Sequence, residues 1–252
     1  MSEPTAALFE IFSGIQGEGL MVGVRQVFVR LCGCNRHCRF CDTPEARRPA
    51  AACAIEREAG SRRFDQVPNP LSVDRALEAV ARLQPRLGLH RWASLTGGEP
   101  LLHPDFLAAL CPRLHEAGLG TYLETNATLP EALERVAGWL DHVAMDVKLR
   151  SATGEPTPWE AHRRFLGLAA RRDAQVKLVA TAQTTEAELA RVADLVAGVD
   201  PAIPVVLQPV TPRGGSVARP SPEAVLGMQE VLGRRLRDVR VIPQVHRLMD
   251  QK

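Results

Sequence analysis

The chain has 252 residues, 45% of them hydrophobic, which is enough for one substantial core; a single α/β barrel is commonly built at this length. Charged residues make up 24% and the formal net charge is only +2, so no general attraction to nucleic acid is implied. The N-terminal M-S-E-P-T does not open a signal peptide and no apolar run is long enough to span a bilayer, so a soluble, cytoplasmic protein with no membrane partner is expected.

Residues 7–12, A-L-F-E-I-F, read as a first strand leading into S-G-I-Q-G-E-G, Ser13 to Gly19. Three glycines in seven residues let the backbone turn freely and approach a ligand, although an ordinary turn has the same composition; Gln16 and Glu18 are the polar groups such a loop presents. Residues 25–31 alternate in strand fashion, with Val27 and Val29 on one face and Arg30 on the other. Arg30 is then either a surface charge at a strand end or a guanidinium aimed at a carboxylate. Residues 44–70, rich in Pro, Ala and Arg, read as an irregular insertion over a barrel mouth. Ser72 caps a helix carrying Val73, Leu77, Val80 and Leu83 at helical spacing. Strand 91–95 runs into T-G-G-E-P, Thr96 to Pro100, and the next helix starts at Pro104-Asp105 with an internal Pro112 expected to distort or divide it.

Strands at 120–124, 142–147, 175–180 and 204–208 then alternate with helices at 130–139, 158–171, 185–197 and 221–236, with a Pro/Gly loop at 211–216 and a last short strand, V-R-V-I-P. Strands separated by helices imply parallel pairing with right-handed crossovers. The expected fold is α/β, a modified or partial TIM barrel with parallel strands and outer helices, forming a single domain over 1–252. Strand ends T-G-G-E, E-T-N and D-V-K gather polar groups at one rim, where such barrels carry their sites.

Six cysteines in a reducing compartment are better read as metal ligands or free thiols than as disulfides. Cys53 and Cys111 stand alone and read as buried thiols, and Cys32 as structural. Cys34, Cys38 and Cys41 form Cys-x3-Cys-x2-Cys inside L-C-G-C-N-R-H-C-R-F-C-D, Leu31 to Asp42. Three thiolates in so short a loop can face one metal centre but cannot complete a four-ligand site. A structural zinc wants four closed ligands, and only His37 lies nearby. A redox Cys38-x2-Cys41 pair has no need of Cys34. An iron–sulfur cluster suits thiolates, and three of them leave one iron open.

The cysteine triplet, with Phe40 before its last member, resembles the signature loop of the radical S-adenosylmethionine (SAM) enzymes. T-G-G-E-P is similar to that superfamily's SAM-amine motif at the end of the second barrel strand. The resemblance implies a 4Fe–4S cluster on Cys34, Cys38 and Cys41, whose open iron chelates SAM and whose reduction releases a 5′-deoxyadenosyl radical. More narrowly, F-E-I-F-S-G-I-Q-G-E-G at 9–19, F-V-R-L-C-G-C-N at 28–35, C-D-T at 41–43 and V-I-P-Q-V-H-R-L at the end are similar to the 7-carboxy-7-deazaguanine synthase family. That family converts 6-carboxy-5,6,7,8-tetrahydropterin to 7-carboxy-7-deazaguanine with loss of ammonia, abstracting hydrogen at C6 and regenerating SAM.

Carried over by motif, the resemblance implies that Ile15, Gln16 and Gly17 contact the pterin, Arg30 takes its carboxylate, and Thr96 also touches it. Gly98 and Glu99 would hold the methionine end of SAM, with Phe40, Asp42, Asn126, Asp146 and Lys148 lining the cofactor, and Thr43 would meet a magnesium ion. A homodimer and a flavodoxin or ferredoxin reductant are implied in the same way. The chain departs from the family in carrying Asp146-Val147-Lys148 where Ser-Pro-Lys is frequent. Gln208 and Gln244 end strands near the mouth, where an ordinary satisfied amide is as ready a reading. The competing readings are another radical SAM enzyme, such as a glycyl-radical activase, and a non-enzymatic structural zinc module; the early G-x-x-G-E-G and Arg30 count against the first.

Overall fold

The computed structural model describes residues 3–85, 88–212 and 217–251. Its strands are β1 (Thr5–Ala6), β2 (Leu8–Ile15), β3 (Arg25–Leu31), β4 (Ala52–Glu56), β5 (Phe64–Pro68), β6 (Leu71–Ser72), β7 (Trp92–Gly97), β8 (Gly120–Thr125), β9 (His142–Val147), β10 (Asp173–Ala180), β11 (Val205–Pro209) and β12 (Val239–Val241). The helices are α1 (Val73–Arg82), α2 (Pro104–Glu116), α3 (Pro130–Val136), α4 (Arg150–Thr153), α5 (Trp159–Ala169), α6 (Glu186–Ala197), α7 (Pro222–Gly233) and α8 (Val245–Leu248). A ten-stranded sheet runs in the order β12-β11-β10-β9-β8-β7-β3-β2-β4-β5 and does not close on itself. From β3 across to β12 every pair is parallel, which makes this part of the sheet the expected partial barrel. No helix among the described residues is long and apolar enough to cross a membrane.

Side-chain parity divides the sheet into two chemistries. Val27, Val29, Leu95, Leu123, Val143, Met145, Val176, Leu178, Val205 and Leu207 all belong to one apolar core with the buried faces of the helices. Their neighbours of opposite parity, among them Arg30, Thr96, Glu124, Asp146 and Lys177, line a cavity on the other face. In a closed barrel that inner face is filled by packed side chains. Here the open sheet leaves it free to be polar.

The principal difference from the sequence-based expectation lies at 44–70. Only a short 3-10 turn, Pro44–Arg47, covers the mouth, and the rest is not irregular: β4 and β5 form an antiparallel pair that extends the sheet beyond β2. Ala52 and Ala54 blur the alternation, but Cys53 and Ile55 are buried at period two and belong to the core. β2 also runs further than expected, through Gly14 to Ile15. At Gly14 a Cβ would lie 2.9 Å from the Phe12 ring, so this glycine makes room for the stacked Phe12–Phe28 pair rather than forming a turn. α2 passes through Pro112 undivided; the ring falls within the last two turns and removes the donor that would have met the carbonyl of Ala108. α3 tightens to a 3-10 turn at Ala137–Trp139, α5 and α7 are shorter than expected, and α4 and α8 are additional. Of the loop at 211–216, residues 213–216 lie outside the described residues, as does Lys252 of the tail.

Candidate active site

The cysteine loop leaves β3 and is fastened to the segment leaving β7. Gly98 N–H donates to Leu31 O at 3.1 Å and Glu99 N–H to Gly33 O at 2.7 Å. An added Cβ at Gly98 would fall 2.0 Å from Gly33 O, so the two backbones meet at a distance only glycine permits. Arg47 donates to the carbonyl of Cys38 at 2.5 Å, and His103 bonds to the carbonyl of Cys32 at 2.7 Å. Cys38 is buried, whereas Cys34 and Cys41 are partly open to the cavity they line. Burial pushes the Cys34 and Cys38 thiols up.

The cavity holds about 420 Å³. Every site residue read from the sequence lines it except Glu99: the three cysteines, Phe40, Asp42 and Thr43 of the same loop, Ile15–Gly17, Arg30, Thr96, Gly98, Asn126, Asp146 and Lys148. Glu99 is fully buried behind the wall. Its carboxylate accepts from Leu101 N–H at 3.0 Å, Thr125 Oγ1 at 2.8 Å and Asn126 N–H at 2.7 Å, so it ties the end of β8 to the T-G-G-E-P segment rather than lining the cavity. Burial raises its carboxyl despite those bonds. Asn126 in turn sets its side-chain amide 4.0 Å from Cys34 Sγ and 2.8 Å from Asn35 Oδ1. His162 of α5, fully buried, stands behind it with Nε2 3.2 Å from the Asn126 carbonyl; burial lowers its imidazole to about 4.

The glycine-loop wall is built by Glu124, whose carboxylate accepts from Gln16 Nε2 at 2.6 Å, Ser94 Oγ at 3.1 Å and Thr96 Oγ1 at 3.0 Å. Arg30 gives its Nε to Glu10 at 3.0 Å; burial would lower its pKa, but Glu10 and Asp42 outweigh it and raise it. The C-terminal segment closes the rim: Val245 N–H donates to Gly17 O at 2.9 Å, and Gln244 Nε2 donates to Glu18 Oε1 at 2.7 Å and to Asp42 Oδ2 at 3.3 Å. Burial would push the Glu18 carboxyl up, but Lys177 and the hydrogen bonds from Lys177 and Gln244 hold it at about 2. Lys148 bonds to Asp146 at 2.9 Å with its ammonium 5.1 Å above the Phe40 ring.

Sequence reasoning placed Glu124 in the E-T-N strand end at the rim, did not single out Gln175, Lys177 or His246 as cavity residues, and left Gln208 and Gln244 undecided; all six line the cavity. A usable signal existed in β10, where core residues Val176, Leu178 and Ala180 leave Gln175, Lys177 and Val179 on the other face. For the C-terminal residues the signal was the likeness of V-I-P-Q-V-H-R-L to the family, which did not point to their partners, more than 200 positions away from Gln244.

The donor set discriminates among metal centres. Among the described residues, the one trio of His, Cys, Asp or Glu whose donor atoms all lie within 4.8 Å of one another is Glu18, Asp42 and His246, and the three cysteine sulfurs are spread more widely. Thiolates on a single zinc sit about 3.8 Å apart, from Zn–S bonds of about 2.3 Å in tetrahedral array. His37, the imidazole inside the loop, is 76% exposed and lies 3.8 Å from Glu155. Three spaced thiols without a nearby fourth ligand fit a cluster with an open iron. Two buried acceptors of cavity-lining residues, Asp146 Oδ1 and Gln208 Oε1, have no protein donor and suit a ligand rich in N–H and O–H groups, as SAM is.

The family model described as Radical SAM superfamily matches residues 29–152. The chain is 44% identical over 252 residues, all of both chains, to a 7-carboxy-7-deazaguanine synthase of Geobacter sulfurreducens. It is 36% identical to the 7-carboxy-7-deazaguanine synthase of Methanothermobacter thermautotrophicus, covering 97% of each. Among solved structures, QueE from Escherichia coli superposes with a TM-score of 0.62 at 22% identity, covering 96% of this chain and 95% of that one.

Proposed function

We infer the chemistry of this cavity from one premise: the chain belongs to the 7-carboxy-7-deazaguanine synthase family of radical SAM enzymes. It is a lyase that contracts 6-carboxy-5,6,7,8-tetrahydropterin to 7-carboxy-7-deazaguanine with loss of ammonia. The observation that carries this reading is the convergence of the cysteine loop, the glycine loop, Arg30, Thr96 and the ends of β8 and β9 on one cavity.

When bound, a 4Fe–4S cluster and SAM supply a carbon-centred radical that removes hydrogen from substrate. Cys34, Cys38 and Cys41 would hold the cluster, with Gly98, Phe40, Asn126, Asp146 and Lys148 around the SAM beside it. Ile15–Gly17, Arg30 and Thr96 would hold the pterin. The Arg30 guanidinium is fixed at Nε by Glu10, which orients the remainder of the fork for a carboxylate. Gln16 has both ends of its amide engaged, accepting from Glu18 N–H at 3.0 Å and donating to Glu124, and its backbone is bonded to Val24 and Gly23, so what it offers substrate is a fixed wall. The C-terminal residues Gln244 and His246 line the cavity, Gln244 bridging Glu18 and Asp42.

We propose magnesium at Thr43. The hydroxyl donates to Asp42 Oδ1 at 3.1 Å, and Asp42 belongs to the trio with Glu18 and His246, so carboxylate oxygens stand beside the threonine as a hard cation requires. A homodimer, a reduced flavodoxin or ferredoxin as electron donor and a cytoplasmic location complete the proposal.

The test is anaerobic incubation of iron- and sulfide-reconstituted protein with the carboxytetrahydropterin, SAM and dithionite, with and without magnesium. The expected products are 7-carboxy-7-deazaguanine and ammonia, with a lower rate when magnesium is chelated. A colourless zinc protein, or deoxyadenosine formed only after a protein partner is added, would overturn the reading.

A further inference from the structure

Lys177 lies in the middle of β10, on the cavity face, with only 16% of its side chain exposed. A charged ammonium in such a place requires compensation. It receives it from two carboxylates on distant segments. Glu18, from the glycine loop, is hydrogen-bonded to Nζ, and Asp146, at the register-paired position on β9, lies 3.2 Å away. Asp146 also takes Lys148, so Glu18, Lys177, Asp146 and Lys148 alternate in sign and sum to zero.

The neighbouring residue on the same face of β10 acts on the same loop. Gln175 Oε1 accepts Leu20 N–H at 2.8 Å, while its Nε2 meets the Tyr122 hydroxyl at 2.6 Å. The glycine loop is thus anchored to β10 at two points. Without Lys177, Glu18 would lose its ion-pair partner and keep Gln244 as a neutral donor and His246 as a weaker electrostatic partner, in a cavity whose other cations, Arg30 and Lys148 among them, have carboxylates of their own. A mostly buried carboxylate short of its counter-charge favours a position open to water, which would draw the loop outward together with Gly17, against which His246 packs.

We propose that Lys177 is a positioning residue of the reaction: its ammonium clamps Glu18 of the substrate loop to Asp146 at the end of β9, fixing the substrate side of the cavity against the cofactor side. The assignment of sides rests on the family reading above; the clamp itself rests on the geometry.

The experiment compares reconstituted wild-type enzyme with Lys177→Met, Lys177→Arg, Glu18→Gln and the Met/Gln double variant. For Lys177→Met the KM for the pterin should rise about 10- to 100-fold, the cost of breaking a mostly buried charge pair. Net 5′-deoxyadenosine per product should rise, because a misplaced substrate lets SAM be consumed without turnover. Lys177→Arg should restore both to within about threefold of wild type, since it keeps the charge and reaches both carboxylates. In the Glu18→Gln background, Lys177→Met should add little, as expected of two residues acting through one contact. Hydrogen exchange should quicken at the Glu18 and Leu20 amides in Lys177→Met, with or without substrate. If Lys177→Met does not load iron, Glu18→Gln carries the test from the other end and should show the same exchange and uncoupling. An unchanged KM and unchanged exchange in Lys177→Met would overturn the clamp. A loss confined to kcat, of equal size in both Glu18 backgrounds and not rescued by arginine, would make Lys177 a proton donor instead. Wild-type enzyme that makes no product, yet shows the exchange difference on mutation, would refute the family reading and leave the clamp standing.

Discussion

Substitution of Gly98 by alanine strikes the contact on which both the cysteine loop and the T-G-G-E-P segment depend. The added methyl would lie 2.0 Å from Gly33 O, 2.6 Å from Gly33 C and 3.0 Å from Cys34 Cβ. Real Cβ atoms do not approach within 3.0 Å, so the two backbones must part by at least about 1 Å. The bonds that hold them, Gly98 N–H to Leu31 O and Glu99 N–H to Gly33 O, resist that movement. Overpacking of this kind costs about 1–3 kcal/mol, and loss of the two backbone bonds adds roughly 1 kcal/mol each. The displacement falls on Cys34, a proposed cluster ligand, whose thiolate would have to reach its iron within a tolerance much smaller than 1 Å. Gly98→Ala is therefore expected to lose most of its cluster and its SAM binding, measured as iron and acid-labile sulfide per chain and as equilibrium dialysis of SAM. Gly138→Ala, where nothing lies within 4 Å of the added atom, should load normally. A Gly98→Ala protein with wild-type iron, sulfide and SAM affinity would refute the steric argument.

Glu99→Ala should orphan two backbone N–H groups and the Thr125 hydroxyl, lowering stability by about 3 kcal/mol in anaerobic denaturant titrations; a change below about 1 kcal/mol would show that water replaces the carboxylate. His162, with a folded-state value near 4 against 6.5 for an ordinary imidazole, stays neutral while the unfolded chain takes up a proton, so its stability contribution is present above pH 6.5 and is lost as pH falls towards 4. His162→Asn should flatten the acid slope of the unfolding midpoint in that window, whereas an unchanged slope would mean that His162 is protonated in the native state. Arg30→Lys removes the planar fork while keeping the charge and should raise the KM for the pterin about tenfold, with SAM affinity unaltered; a parallel loss of both would place Arg30 against the cofactor instead.

The sequence was most informative where a short motif carries its own geometry. Cys34, Cys38, Cys41 and Gly98 reach one cavity because they sit on two strand exits that run side by side, β3 beside β7. Parallel pairing along the barrel was readable from the alternation of strands with helices. What escaped was decided by partners distant in sequence. The carboxylate of Glu99 follows the motif, but its buried position is set by Thr125 and Asn126. The Glu18–Lys177 pair spans 159 positions and joins a loop to a strand whose meeting no local pattern reveals. The β4–β5 hairpin was hidden for a different reason: Ala52 and Ala54 blur the alternation of β4, and beside Ile55 a buried cysteine stands where a second branched residue would have announced the strand.

The account's central claim is that substrate and SAM meet in this one cavity for hydrogen abstraction at the pterin C6. It is tested most directly with 6-carboxytetrahydropterin deuterated at C6, turned over by the reconstituted enzyme and followed by mass spectrometry of the recovered SAM, 5′-deoxyadenosine and product. The account predicts deuterium in the adenosyl carbon of recovered SAM and 5′-deoxyadenosine, and none at the carboxyl-bearing ring carbon of the product, which carries no hydrogen. Product formed with the label released only to water, or SAM cleaved with no label acquired, would contradict it.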